Sequence, residues 1–181
     1  MSRIPLWLAG CGLLPIVLSA CLRAENKGPV APVTSTTNTP KASPNEGPPA
    51  DIVTAGTPQV ELTAGSSAET LVTVKIANGY HINGNPSSKY QIATTLDVEA
   101  NDGVTAGKVS YPPSVSKKFS FSPDPIMVYE REVVLKQPLQ ADAGATKGNR
   151  TLRARLRVQP CDDTVCYPPR TMEVAIPINV K

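Results

Sequence analysis

NRTLRARLRV, residues 149–158, places Leu152, Ala154, Leu156 and Val158 on one side of an extended chain and Arg153, Arg155 and Arg157 on the other. Side chains alternate across a β-strand with a period of two, so this is a strand with one buried and one solvated face. The same period runs through Val72, Val74 and Ile76, and through Met172, Val174, Ile176 and Ile178. Further β-rich runs are QVELT (59–63), YQIATTLDVEA (90–100), VTAGKVSYP (104–112) and MVYEREVVLK (127–136). Turn residues separate them in AGSS, NGN, NDG, SPDP and AGATKGN. A 3.6-residue apolar stripe is absent from every window long enough for a helix. About seven to nine short strands with Gly/Pro turns predict an all-β, immunoglobulin-like antiparallel β-sandwich. The one tryptophan, Trp7, lies far upstream of the strands, so an antibody-type Cys–Trp–Cys core is excluded.

Upstream of the strands the composition changes twice. Residues 1–20 carry one charge, Arg3, and then an apolar run broken by Pro5, Gly10, Gly12 and Pro15. That run is shorter than the roughly 20 apolar residues needed to span a bilayer, and it reads as an export signal. It ends in Leu18-Ser19-Ala20-Cys21, which resembles a bacterial lipobox, with Cys21 as the lipidated first residue of the mature chain. Acyl chains on that cysteine would anchor the protein to a membrane face, at roughly 0.8 kcal/mol per buried methylene. Residues 21–56 are rich in Pro, Thr, Ser and Gly and poor in large apolar side chains, so they read as a linker. Residues 57–181 remain as one domain, with 14 Lys and Arg against 12 Asp and Glu. This charge balance gives no argument for nucleic acid, and Arg150, Arg153, Arg155 and Arg157 read as a solvated strand face.

Four cysteines are present. Cys11 lies in the signal and Cys21 takes the lipid, which leaves Cys161 and Cys166 in VQPCDDTVCYPP. Outside the cytoplasm such a pair is first a disulfide. Four intervening residues suit a hairpin loop, and the ring is short, so as a staple it contributes only about 2 kcal/mol. A structural clip and a redox centre are both open on these grounds. No helix start precedes the pair, and Asp162 and Asp163 disfavour thiolate, so reduced thiols here are expected to depend on a partner for activation. The only two phenylalanines, Phe119 and Phe121, sit in the polar loop KKFSFSPDP, where a ring either plugs the core or covers something reactive. The single histidine, His81, reads as a strand residue capping a turn. Copper(I) held by it, the cysteines and Met127 or Met172 lacks any ligand pair at motif spacing. No metal or cofactor is expected.

GYHINGNPSSKYQIATTLDV (79–98), YPPSVSKKFSFSPDPIMVYEREVVL (111–135) and VQPCDDTVCYPPRTMEVAIPI (158–178) resemble the N-terminal periplasmic domain of DsbD-type thiol:disulfide interchange proteins. The resemblance implies an immunoglobulin-like fold and a redox-active Cys161–Cys166 pair. That pair would take electrons from a thioredoxin-like partner or membrane donor and pass them to oxidised periplasmic thiol proteins, as a protein-disulfide reductase does. It also implies a cap loop over the cysteines, here Lys118 to Asp124, with Phe121 as the first choice of covering ring and Phe119 as the second. The chain stops at Lys181, so the reading is of a stand-alone, lipid-anchored version on the periplasmic side of a bacterial membrane. The competing reading is a non-catalytic lipoprotein sandwich that binds another envelope protein and whose disulfide is structural.

Overall fold

The structure is a computed structural model and describes residues 49–181. A single 3₁₀ turn, Ala50–Ile52, leads into twelve strands. In chain order they are β1 (Val53–Gly56), β2 (Val60–Leu62), β3 (Ser67–Ile76), β4 (His81–Asn83), β5 (Thr95–Val98) and β6 (Val104–Ala106). They continue with β7 (Val115–Lys117), β8 (Ile126–Glu130), β9 (Glu132–Ala141), β10 (Gly148–Val158), β11 (Pro160–Cys161) and β12 (Arg170–Val180).

Three four-stranded sheets result, ordered β1-β3-β9-β6, β2-β12-β10-β5 and β11-β4-β8-β7. All pairings are antiparallel except β2 with β12, which is parallel. The expected all-β immunoglobulin-like class is the one observed. The strand count is higher than expected because β4, β7 and β11 are only two or three residues long, too short to leave a period in sequence, whereas β2 and β6 fall inside the expected runs QVELT and VTAGKVSYP.

The long strands behave as their alternation requires. Leu152, Ala154, Leu156 and Val158 on β10 and Val174, Ile176 and Ile178 on β12 are buried, facing Val72, Val74, Leu135 and Leu139 from the first sheet. Each leucine, isoleucine or valine among them contributes about 1.5–3 kcal/mol by leaving water. Arg153, Arg155 and Arg157 stay exposed, and Arg155 pairs with Glu99 at 3.3 Å on β10's outer face.

Two expectations need correction. The linker does not run to residue 56: Val53 is buried, and β1 pairs with β3 from Val53↔Ile76 to Gly56↔Thr73. The apolar positions there are too few to show periodicity by themselves, and a long neighbouring strand recruits them. MVYEREVVLK is not one strand either. Arg131 adopts a left-handed conformation, φ +61°, which ends β8 and starts β9 in a different sheet. That turn hands the chain from the small third sheet back to the main sandwich. The proposed signal and Cys21 lie outside the described residues. Among the described residues, no helix is long and apolar enough to cross a membrane.

Candidate functional site

The third sheet carries the cysteines. Its registers are Cys161↔His81 and Pro160↔Ile82 between β11 and β4, and His81↔Glu130, Ile82↔Tyr129 and Asn83↔Val128 between β4 and β8. On the far side Lys117 of β7 opposes Ile126 of β8. Directly opposed residues share a face. One face therefore presents Ile82 and Tyr129, both members of the main core. The other presents Cys161, His81 and Glu130 in a row, with Val128, Ile126 and Lys117 alongside. That second face has its own small apolar cluster of Phe119, Ile126 and Val128, with Phe121 packed against it.

Cys161 and Cys166 are joined as a disulfide, with their Cα atoms 4.0 Å apart. Cys161 is fully buried, and Cys166 is half-buried. The loop between them is held by its own hydrogen bonds. Asp162 Oδ1 accepts from the Thr164 amide and hydroxyl at 2.7 Å each and from the Val165 amide at 2.9 Å. Asp162 Oδ2 accepts from the Tyr167 hydroxyl at 2.9 Å. Burial pushes the Asp162 carboxyl up, but these four donors outweigh it and hold the group below the usual aspartate range. Tyr167 is 2% exposed, and burial together with Asp162 pushes its phenol up to about 12, so it remains a donor where a free tyrosine has ionised. From sequence Asp162 is a charge that disfavours thiolate; here its carboxylate is committed to two backbone amides and two hydroxyls of its own loop.

The acid dependence of this latch has a definite sign. A carboxyl whose pKa is lowered on folding contributes stability above its unfolded value and loses it as pH falls through the lowered one. Asp162→Asn is therefore expected to destabilise the chain at neutral pH by about 1–3 kcal/mol, the cost of disturbing charged hydrogen bonds. The loss should shrink as pH drops below the ordinary aspartate range. Urea midpoints of both chains between pH 7 and pH 2 measure this, and a difference constant with pH refutes the latch.

Asn83, Gln159 and the loop after β4 support the row from below. Asn83 Nδ2 donates to Gln159 Oε1 at 3.0 Å and to the Ile92 carbonyl at 3.0 Å, and Gln159 Nε2 donates to the Tyr167 carbonyl at 3.2 Å. From above, the Phe119 ring stacks on His81 with centroids 4.1 Å apart, and Phe121 stacks on Phe119 at 5.3 Å. Phe119 is 5% exposed; Phe121 is half-buried. Ser120, between them, donates its hydroxyl to the Asp163 carbonyl at 3.1 Å, which ties the phenylalanine loop to the cysteine loop. Both phenylalanines thus lie over this face, with Phe119 the inner ring.

His81 is where sequence reading fell short. It is 1% exposed and its Nε2 has no hydrogen-bond partner. Burial pushes its pKa down; Glu130 opposes this, Lys117 adds to it, and Asp163 and Asp162 oppose it. No sequence signal placed it beside Cys161, because that adjacency comes from a two-residue strand pairing across about 80 residues of chain. Among the described residues no cluster of three or more His, Cys, Asp or Glu is arranged to hold a metal. Met127 lies on the face of β8 opposite the row, and Met172 is on β12 in another sheet.

A family model described as "Thiol:disulfide interchange protein DsbD, N-terminal" matches residues 51–177. No curated protein matches the chain in sequence. Among solved structures, the reduced N-terminal domain of Neisseria meningitidis DsbD is 22% identical with a TM-score of 0.48, the match covering 73% of this chain and 90% of that one. The N-terminal periplasmic domain of ScsB from Proteus mirabilis is 14% identical with a TM-score of 0.47, covering 68% of this chain and 44% of that one.

Proposed function

The chain belongs to the family of the N-terminal domain of thiol:disulfide interchange protein DsbD and is a thiol–disulfide exchange module; on that premise we propose that it relays electrons in the periplasm through Cys161 and Cys166. A thioredoxin-like dithiol reduces the pair, and the pair then reduces a disulfide in an oxidised envelope protein. Each transfer goes through a mixed disulfide, so the chain acts as a protein-disulfide reductase without a cofactor. Cys166, half-buried at the loop end, is the sulfur that partners reach; Cys161, fully buried, is the resolving one. The loop from Lys118 to Asp124 is the lid, with Phe119 inside and Phe121 outside, and it opens when a partner docks. Lipid on Cys21 would hold the module at a membrane face.

One observation carries this reading over the structural-staple alternative. The loop is already fixed by four hydrogen bonds on Asp162 and by Ser120 on the Asp163 carbonyl. A disulfide closing so short a ring would contribute about 2 kcal/mol as a clip, to a loop that is held without it. An opened pair would stay in register, ready to close again.

The test is the reduction potential of the full chain in glutathione and dithiothreitol buffers. An exchange centre is expected above about −300 mV, within the range of thiol oxidoreductases. A value well below that line, together with no mixed disulfide formed with thioredoxin, would leave only a structural bridge.

A further inference from the structure

We propose that His81 is the proton acceptor for Cys161: during resolution its unpartnered Nε2 takes the thiol proton as the Cys161 sulfur attacks. The inference rests on the exchange reading above and assigns a further residue to that reaction.

Three placements support it. Cys161 and His81 are directly opposed on β11 and β4, so their side chains share a face with Cβ atoms about 4.5–5.5 Å apart. His81 is itself directly opposed to Glu130, so a thiol, an imidazole and a carboxylate follow one another across three strands. A buried polar atom without a partner costs about 1–3 kcal/mol, and the His81 Nε2 is such an atom. The disulfide form has no proton to offer it; the reduced form has one.

The other candidate acceptor is the Gln159 carbonyl, 4.0 Å from Cys161 Sγ. A carbonyl can accept a hydrogen bond from a thiol but does not remove its proton. The neutral imidazole does, and the surroundings keep it neutral: burial, aided by Lys117 of β7, holds its pKa down against Glu130 of β8 and Asp163 and Asp162 of the cysteine loop. Phe119 stacked on the ring fixes its plane. Glu130, whose side chain is 34% exposed, stands between the imidazole and the Lys117 ammonium at the sheet's outer side.

The step balances. A mixed disulfide joins Cys166 to a partner sulfur. The Cys161 sulfur attacks Cys166 Sγ, forming the Cys161–Cys166 bond and breaking the bond to the partner. The partner sulfur leaves with the electron pair as a thiolate, and the Cys161 proton goes to His81. The chain's dithiol has been oxidised by two electrons and the partner's disulfide reduced by two.

The experiment follows release of the second glutathione, the step in which Cys161 resolves the adduct, from the full-length chain carrying glutathione on Cys166, from pH 4.5 to 8. Attack by free thiolate slows about tenfold per pH unit below the thiol pKa. Proton transfer to a neutral imidazole instead gives a plateau that breaks only where the imidazole protonates. The expected result is a plateau in the native chain, and in His81→Gln a tenfold-per-unit slope with release slower by on the order of 10²-fold near pH 6. Because His81 is buried, Glu130→Gln supplies a second reading at a partly exposed site. Loss of that carboxylate should move the break to lower pH, an effect that a merely structural histidine would not produce. A native chain lacking the plateau, a folded His81→Gln chain retaining it, or an unmoved break in Glu130→Gln overturns the assignment while exchange itself survives. A native chain that releases no glutathione at any pH overturns both the assignment and the exchange reading.

Discussion

Cys161→Ser is expected to stall the full chain as an adduct. Mixed with glutathione disulfide, or with a thioredoxin lacking its own resolving cysteine, it should accumulate a mixed disulfide on Cys166, visible by mass and on non-reducing gels. Turnover should fall by roughly 10³ or more. The reason is geometric. In the native chain the second sulfur is 0% exposed, sits across a β-bridge from the first, and is held there by a loop with its own hydrogen bonds. An attack so well oriented has an effective concentration far above that of any free thiol. Once Cys161 is gone, only external thiol can release the adduct. Cys166→Ser should behave differently and collect little adduct, because the remaining sulfur is buried. Equal trapping by the two variants would remove the proposed division of roles.

Phe119→Ala is expected to have the second largest effect, on two readouts at once. The ring is 5% exposed and packs between His81 and Phe121. Deleting a buried phenylalanine typically costs about 3–5 kcal/mol of stability. The lid would also close less firmly. Burying such a ring contributes about 1.5–3 kcal/mol, so its loss should raise the open population, and with it alkylation of the reduced cysteines, roughly tenfold to a hundredfold. Phe121→Ala removes a half-buried ring that touches Phe119 and should change both readouts less. Iodoacetamide trapping and urea unfolding of the two variants measure this. A larger alkylation gain in Phe121→Ala would make Phe121 the covering ring instead, in keeping with its place as first choice from sequence.

Much of the fold was legible because strand alternation is a local signal. Leu152 to Val158 and Val174 to Ile178 announce which side faces inward, and the tertiary structure obeys. The same signal fails where elements are short. Val53–Gly56 looks like linker because four residues cannot display a period, and they become β1 only because β3 offers an edge. Arg131 hides a sheet change inside what reads as one continuous strand, since an arginine gives no notice of a positive φ.

The candidate site divides in the same way. The cysteine spacing is written in the chain and points to a hairpin carrying a pair of sulfurs, while the cover over them, Phe121 or Phe119, follows only from the family resemblance. Whether Asp162 would face those sulfurs or turn onto its own loop depends on the Tyr167 hydroxyl reaching it, a matter of packing. That His81 stands between Cys161 and Glu130 depends on a register joining residues far apart in sequence. Periodicity and composition act over a few neighbouring residues and so determine strands, faces and the cysteine hairpin. Which side chains meet across strands is decided only when the sheets close, because cross-strand neighbours are set by register and packing.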